Sequence, residues 1–160
     1  MHIEKYMSLV IGSDDSLLFL DYLKEKQKEE ISLEEIFSDI GLDKLHGDFR
    51  NPDTVLELVD EEGWTMEFHF AIDLIMNIAA LLLECRVSGS VDLCELCEEE
   101  DIENGMIRIT ATPEEHQLIN KILKDFSTEP FAYDISEMML EDEMKETADL
   151  CEELRKELYA

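Results

Sequence analysis

Hydrophobic and polar residues are spaced along most of this chain as they are in helices. Residues 14–29 carry apolar side chains at mixed helical spacing behind Ser13-Asp14-Asp15, which offers capping side chains, and this predicts a helix. Ser32-Leu33-Glu34-Glu35 has the form of a capping box, and Gly41 ends the short helix that it would open. The short apolar stretch Met7 to Ile11 is compatible with a strand or with the start of a helix.

Strict alternation appears in a few segments and predicts strands. In residues 64–70 the apolar side chains Trp64, Met66, Phe68 and Phe70 alternate with polar ones, as in a half-buried strand. Residues 54–59 predict a second strand, and the loop between the two predicts a hairpin. Residues 106–112 are rich in β-branched side chains and predict a further strand.

The second half of the chain predicts four helices of different character. Residues 71–85 are apolar nearly all round, which is typical of a helix buried on most sides. Residues 91–99 predict a short helix capped by Ser90, and Thr112-Pro113 opens another. The last and most charged helix is predicted over residues 136–159. Its apolar positions are Met138 or Met139, Met144, Ala148, Cys151, Leu154 and Leu158.

Together these elements predict one α+β domain spanning residues 1–160. We expect it to be helix-rich, with a small, mostly antiparallel sheet of three or four strands and a long acidic C-terminal helix, because the strands do not alternate regularly with helices. The chain has 160 residues, of which 45% are hydrophobic, and that is enough to bury a substantial core.

The net charge of the chain restricts its possible partners more than any other property of the sequence. Forty-one acidic residues face thirteen basic ones, for a formal net charge of −28. Such a chain repels nucleic-acid phosphates and anionic membrane surfaces, so the sequence argues against direct nucleic-acid binding and membrane association. A basic protein is the natural partner. The plainer interpretation, that the charge serves only solubility, is weakened because solubility needs a net charge of only about 2–8 in a small domain.

Two segments concentrate the acidic residues. Residues 92–103 hold seven acids and no base, and residues 137–153 hold eight acids and only Lys145. On a helix, acids three or four positions apart lie about 5–6 Å from each other, close to the spacing of phosphates along a nucleic-acid strand. The predicted partner-binding residues are Asp92, Glu95, Glu98, Glu99, Glu100, Asp101, Glu103, Glu141, Asp142, Glu146, Asp149 and Glu153. Trp64 or Tyr159 would serve as an aromatic anchor.

The cysteines offer an alternative. Cys94-Glu95-Leu96-Cys97 has the spacing of half a zinc site, but His69, His116, Cys85 and Cys151 form no matching second pair. On a helix the two thiols would share a face with Leu93 and pack in the core. We therefore assign no metal ligand and no cofactor, and keep a small metal-binding structural protein as the alternative.

The sequence contains no Gly-rich phosphate loop, nucleophile elbow or metalloprotease motif. We predict a non-enzymatic module that docks a basic protein, similar in charge and size to bacterial immunity proteins and nucleic-acid mimics although it matches none of their motifs. An uncharacterised enzyme, or a domain whose acidity is only for solubility, stays open. The chain begins without the pattern of a signal peptide and has four cysteines, so a cytoplasmic monomer is expected, with a dimer through the last helix as the alternative.

Overall fold

A computed structural model describes residues 2–52, 55–59, 62–97 and 105–159 of the chain. The helices are α1 (Met7–Ile11), α2 (Asp14–Lys26), α3 (Leu33–Ile40), α4 (Ala71–Ser88), α5 (Leu93–Cys97), α6 (Pro113–Thr128) and α7 (Glu141–Tyr159). The strands are β1 (Glu30–Ser32), β2 (Leu56–Val59), β3 (Thr65–Phe68), β4 (Val91–Asp92) and β5 (Met106–Thr110). This is the helix-rich α+β domain that the sequence predicts.

Helix α4 is the centre of the molecule. Its residues from Leu74 to Glu84 are all buried, because the sequence is apolar on every side and α1, α2, α6 and α7 pack around it. The buried polar side chain Asn77 donates from Nδ2 to the carbonyl oxygens of Val10 and Ser16, both at 3.3 Å. This contact ties α4 to the α1–α2 connection.

The strands form two small sheets. In the first, β5 lies between β1, which is parallel to it, and β4, which is antiparallel. In the second, β2 and β3 pair as an antiparallel hairpin, with Leu56 opposite Phe68 and Glu57 opposite Glu67. Two of the three strand pairings are therefore antiparallel, but the strands are divided between two sheets.

Some boundaries differ from the sequence predictions. The stretch from Met7 to Ile11 is a helix, and β1 had not been predicted because only three residues pair with β5. Residues 91 and 92 pair with β5, so the following helix begins at Leu93. Its first amides are capped by Asp92, whose Oδ1 accepts from the Cys94 nitrogen at 3.0 Å, and not by Ser90.

The helix starts show how capping signals are used. Thr112 and Glu115 form a full capping box at α6, with Pro113 in the first turn. At α3 only half of the predicted box forms: the Ser32 hydroxyl oxygen accepts from the Glu35 nitrogen, but the Glu35 carboxylate pairs with Lys28 at 2.6 Å. Lys28, two residues beyond the end of α2, therefore competes successfully for that carboxylate.

The C-terminal helix is shorter than predicted. A 3₁₀ segment over Asp134–Met138 precedes it, and α7 begins only at Glu141. The predicted buried positions from Met144 to Leu158 are confirmed. Met138 is not one of them, since 74% of its surface is exposed, whereas Met139 packs partly against the core.

Candidate functional site

An acidic stripe runs along the outward side of α7. We call Asp142, Glu146, Asp149 and Glu153 the α7 stripe; they are spaced four, three and four residues apart, so they follow one another along one line of the helix. All four are exposed, because Met144, Ala148, Cys151, Leu154 and Leu158 bury the opposite side. The predicted residue Glu141 is also exposed but lies beside the stripe, paired with Lys145 at 3.0 Å.

Several basic side chains form ion pairs away from the stripe. Arg50 Nη2 lies 2.6 Å from Asp125 Oδ1, and Lys5 Nζ lies 2.8 Å from Glu157 Oε1. Within the described ranges, no lysine, arginine or histidine lies within ion-pair distance of the four stripe carboxylates. The four stripe carboxylates therefore carry negative charge that no direct ion pair in the described ranges offsets.

The second predicted segment is described only at its beginning. Asp92 is partly buried and caps α5, so its carboxylate already has a structural role. Glu95 is exposed on α5. The other predicted residues of this segment, Glu98, Glu99, Glu100, Asp101 and Glu103, lie outside the described residues.

The two candidate aromatic anchors differ in exposure. Trp64 stands at the end of the β2–β3 hairpin with 71% of its surface exposed. Tyr159 is partly buried, and its hydroxyl lies 3.0 Å from Nδ1 of His116, whose ring packs edge-on against it. Tyr159 is therefore engaged within its own domain, whereas Trp64 is presented to solvent.

Three of the four thiols, those of Cys85, Cys97 and Cys151, are at least partly buried against the core. Burial raises the pKa of Cys151 to about 12 and also raises the pKa of Cys85. Cys97 packs against the core beside the buried Leu93 and Leu96. Among the described residues, no three His, Cys, Asp or Glu side chains are grouped so that they could hold a metal ion.

A groove beside α7 had not been predicted. It encloses about 500 Å³ between α1, the first turns of α4, the 3₁₀ segment Asp134–Met138 and the first half of α7. Leu9, Phe70, Ile135 and Leu150 contribute apolar lining, and Asp73, Glu143 and Glu146 contribute carboxylates. The sequence signal for it was the pair Met138-Met139, one of which helical periodicity assigned to the core of the last predicted helix.

Asp73 has the most perturbed carboxyl group of this groove. Partial burial, and then the negative charge of Asp15, raise its pKa from 3.8 to about 6, while a hydrogen bond from Ser13 acts in the opposite direction. Asp15 itself is buried and accepts from the backbone nitrogens of His69 at 3.0 Å and Phe70 at 2.8 Å. Asp73 therefore faces the groove next to the buried carboxylate of Asp15, which holds the backbone before α4.

No helix in the described part of the chain is both long and apolar enough to cross a membrane. The described residues combine exposed carboxylates on α7 with a partly apolar groove beside it. The model of one family, immunity protein 68 (Imm68), matches residues 2–158. The chain belongs to this family.

The family supports a general role for the chain. Immunity proteins are generally non-enzymatic inhibitors that bind a partner protein, a toxin, and family membership supports that role for this chain. The comparisons found no match among curated proteins and none among solved structures.

Proposed function

We propose that the chain neutralises a basic toxin by docking the α7 stripe onto a lysine- and arginine-rich surface of that toxin. The observation that carries the proposal is the stripe itself, four exposed carboxylates without a basic partner in the described structure of an immunity-family protein. Complementary potentials accelerate encounter and discriminate against wrong partners, which suits an inhibitor that must act before its toxin does.

Repulsion along the stripe gives the proposal its energetic basis. Like charges three and four positions apart on a helix destabilise it by a few tenths of a kcal/mol per pair, so the free protein carries a small cost. A basic surface removes that cost on binding and adds attraction. The acids of residues 92–103 extend the same charge in our proposal, with Glu95 as the exposed member that the structure describes.

We further propose that the inhibitor acts as a cytoplasmic monomer. The apolar side of α7, which offered a seam for a dimer, is buried against α6 and α4 in its own domain. A charge of −28 opposes the close approach of two copies. The chain has only four cysteines, too few for a disulfide scaffold, which fits a reducing compartment.

The test is affinity capture from the native cell lysate at low salt, with elution by a salt gradient and identification by mass spectrometry. The bait is compared with a stripe variant, Asp142→Asn, Glu146→Gln, Asp149→Asn and Glu153→Gln. A matched control neutralises four exposed acids elsewhere: Glu25, Glu34, Asp43 and Glu114. We expect one basic protein in stoichiometric amount, whose toxicity is suppressed by the wild type and the control variant but not by the stripe variant.

Two results would contradict the proposal. A captured toxin that is acidic, or that binds the stripe variant as tightly as the wild type, would show that the charge of α7 does not direct docking. A diffuse spread of many basic proteins, lost equally from both variants, would mean that the acidity serves solubility alone.

A further inference from the structure

We propose that the groove between α1, α4 and α7 receives a lysine or arginine of the toxin that is flanked by apolar side chains. This inference rests on the proposed function and specifies the contact at the centre of the interface. The groove lies along α7 next to the stripe, and Glu146 belongs to both. A basic surface drawn to the stripe is thereby brought to the mouth of the groove.

One apolar side chain of the groove lies largely in water. Met138 lines the groove and is 74% exposed, whereas Ile135, which also lines it, is 5% exposed. Methionine is flexible and polarizable, so it adapts to the shape of a bound side chain. An exposed apolar border around a partly polar groove is typical of a protein-interaction site.

Charge identifies the occupant. Asp73, Glu143 and Glu146 line the groove, and none of its described lining residues is Lys, Arg or His. Three other grooves on the molecule each include at least two lysines or arginines. Lysine and arginine have apolar stems and charged ends, so one of them can lay its stem against Phe70 and Leu150 and direct its charge to a carboxylate.

Asp73 is the carboxylate best placed to receive that charge. It stands in the first turn of α4, partly buried, and its acidic neighbours come from three other elements: Asp15 on α2, Asp134 on the 3₁₀ segment, and Glu143 and Glu146 on α7. Burial, with the negative charges of Asp15 and Asp134, raises the pKa of Asp73 to about 6. A bound cation would favour the ionised form and release the remaining proton.

The first test uses a defined probe. A capped helical peptide with one arginine between two leucines is titrated into ¹⁵N-labelled protein, beside two matched peptides in which glutamine replaces the arginine or serines replace the leucines. We expect saturable amide shifts at Leu9, Phe70, Asp73 and Thr147, with a Kd of about 1 mM or tighter, and their loss with either matched peptide and in Asp73→Asn. Shifts confined to the α7 stripe, or no saturable binding, would overturn the proposal.

The second test uses the basic toxin captured as described above. Asp73→Asn should weaken its binding by roughly 30-fold or more, since loss of one partner of a desolvated charge pair is costly, whereas Glu34→Gln on α3 should change it less than about threefold. Wild-type affinity should rise between pH 5.5 and 7.5 by more than that of Asp73→Asn, which lacks the linked proton.

Met138→Ser adds a readout that does not depend on charge. It should weaken the complex without changing its salt dependence, because it removes only an apolar contact. If the wild type binds the toxin and the stripe variant does not, but Asp73→Asn and Met138→Ser both bind normally, the groove proposal fails and the proposed function stands. If the wild type binds no basic toxin, the proposed function itself fails.

Discussion

The outward side of α7 and the surface shared by α2 and α3 are both rich in acids, but only one of them is balanced. On α2 and α3, Lys26 Nζ lies 2.6 Å from Asp39 Oδ2 and 3.4 Å from Glu35 Oε2, and Lys28 Nζ lies 2.6 Å from Glu35 Oε1. The Tyr22 hydroxyl also donates to Asp39 at 2.6 Å. On the α7 stripe, the described structure offers no such partner.

This difference shows where the few basic residues contribute to the fold. The lysines at the end of α2 hold it against α3, and Arg50 holds the chain before β2 against α6 through Asp125. Solubility requires only that charge be present, whereas docking requires that it be concentrated and available. The uneven distribution therefore favours the second interpretation for α7.

The largest effect is expected when α7 is made to resemble α2 and α3. Glu146→Lys with Glu153→Lys places two cations in the stripe, and Asp149 lies one turn from each of them. We expect toxin affinity to fall by about 100-fold or more, mainly through slower association, while the free protein becomes slightly more stable. Stopped-flow binding measures the association rate, and thermal melts measure the stability of the free protein. An unchanged association rate would contradict the prediction.

Asp73→Asn should have the next largest effect, on stability. The pKa of Asp73 is higher in the folded protein, about 6, than the ordinary 3.8, so stability is lost as pH rises from about 4 to 7. The shift corresponds to at most about 3 kcal/mol, and we expect the variant to be about 2 kcal/mol more stable than the wild type at pH 7.5 and equal to it at pH 4. Urea unfolding at both pH values is the measurement; a variant that is less stable at pH 7.5 would contradict it.

Asp39→Asn should act in the opposite direction. Burial acts to raise the pKa of Asp39, but Lys26 and the Tyr22 hydroxyl outweigh it and lower the pKa. Because the folded pKa is below the ordinary one, the stabilisation is present above about pH 4 and is lost on further acidification. We expect a loss of about 1 kcal/mol at pH 7 in chemical denaturation, with toxin affinity unchanged. Weakened toxin binding would show that the balanced surface also takes part in docking.

The smallest effect is expected in the hairpin. Glu57 and Glu67 stand directly opposite each other on β2 and β3, and like charges in such positions are unfavourable. Glu67→Lys should stabilise the protein by about 0.5 kcal/mol at low salt and by less at high salt. Thermal melts at two salt concentrations test this, and a gain that does not depend on salt would point to packing instead of charge.

Most helices and strands could be predicted because neighbouring residues along the chain determine them. The capping residues Ser32 and Thr112, the apolar α4 and the alternation of β3 are each decided within a few residues. β1 could not be predicted in the same way. Its three residues form a strand because they pair with β5, some 78 positions later in the chain.

The candidate site was predicted in part. The exposed acids of α7 follow from helical spacing once Met144, Ala148 and Cys151 are recognised as core residues. The groove could not be found that way, because it joins residues from α1, α4 and α7. Periodicity also placed Met138 or Met139 inside, since it could not show that the helix begins only at Glu141.

Salt dependence of the complex tests the central claim most directly. The affinity of the captured toxin is measured by titration calorimetry from low to high salt, for the wild type, the α7 stripe variant and the matched control with four acids neutralised elsewhere. We predict that the logarithm of the affinity falls steeply with the logarithm of the salt concentration for the wild type and the control, and much less steeply for the stripe variant. Equal slopes for all three proteins would show that the carboxylates of α7 do not face the toxin, and would contradict the account.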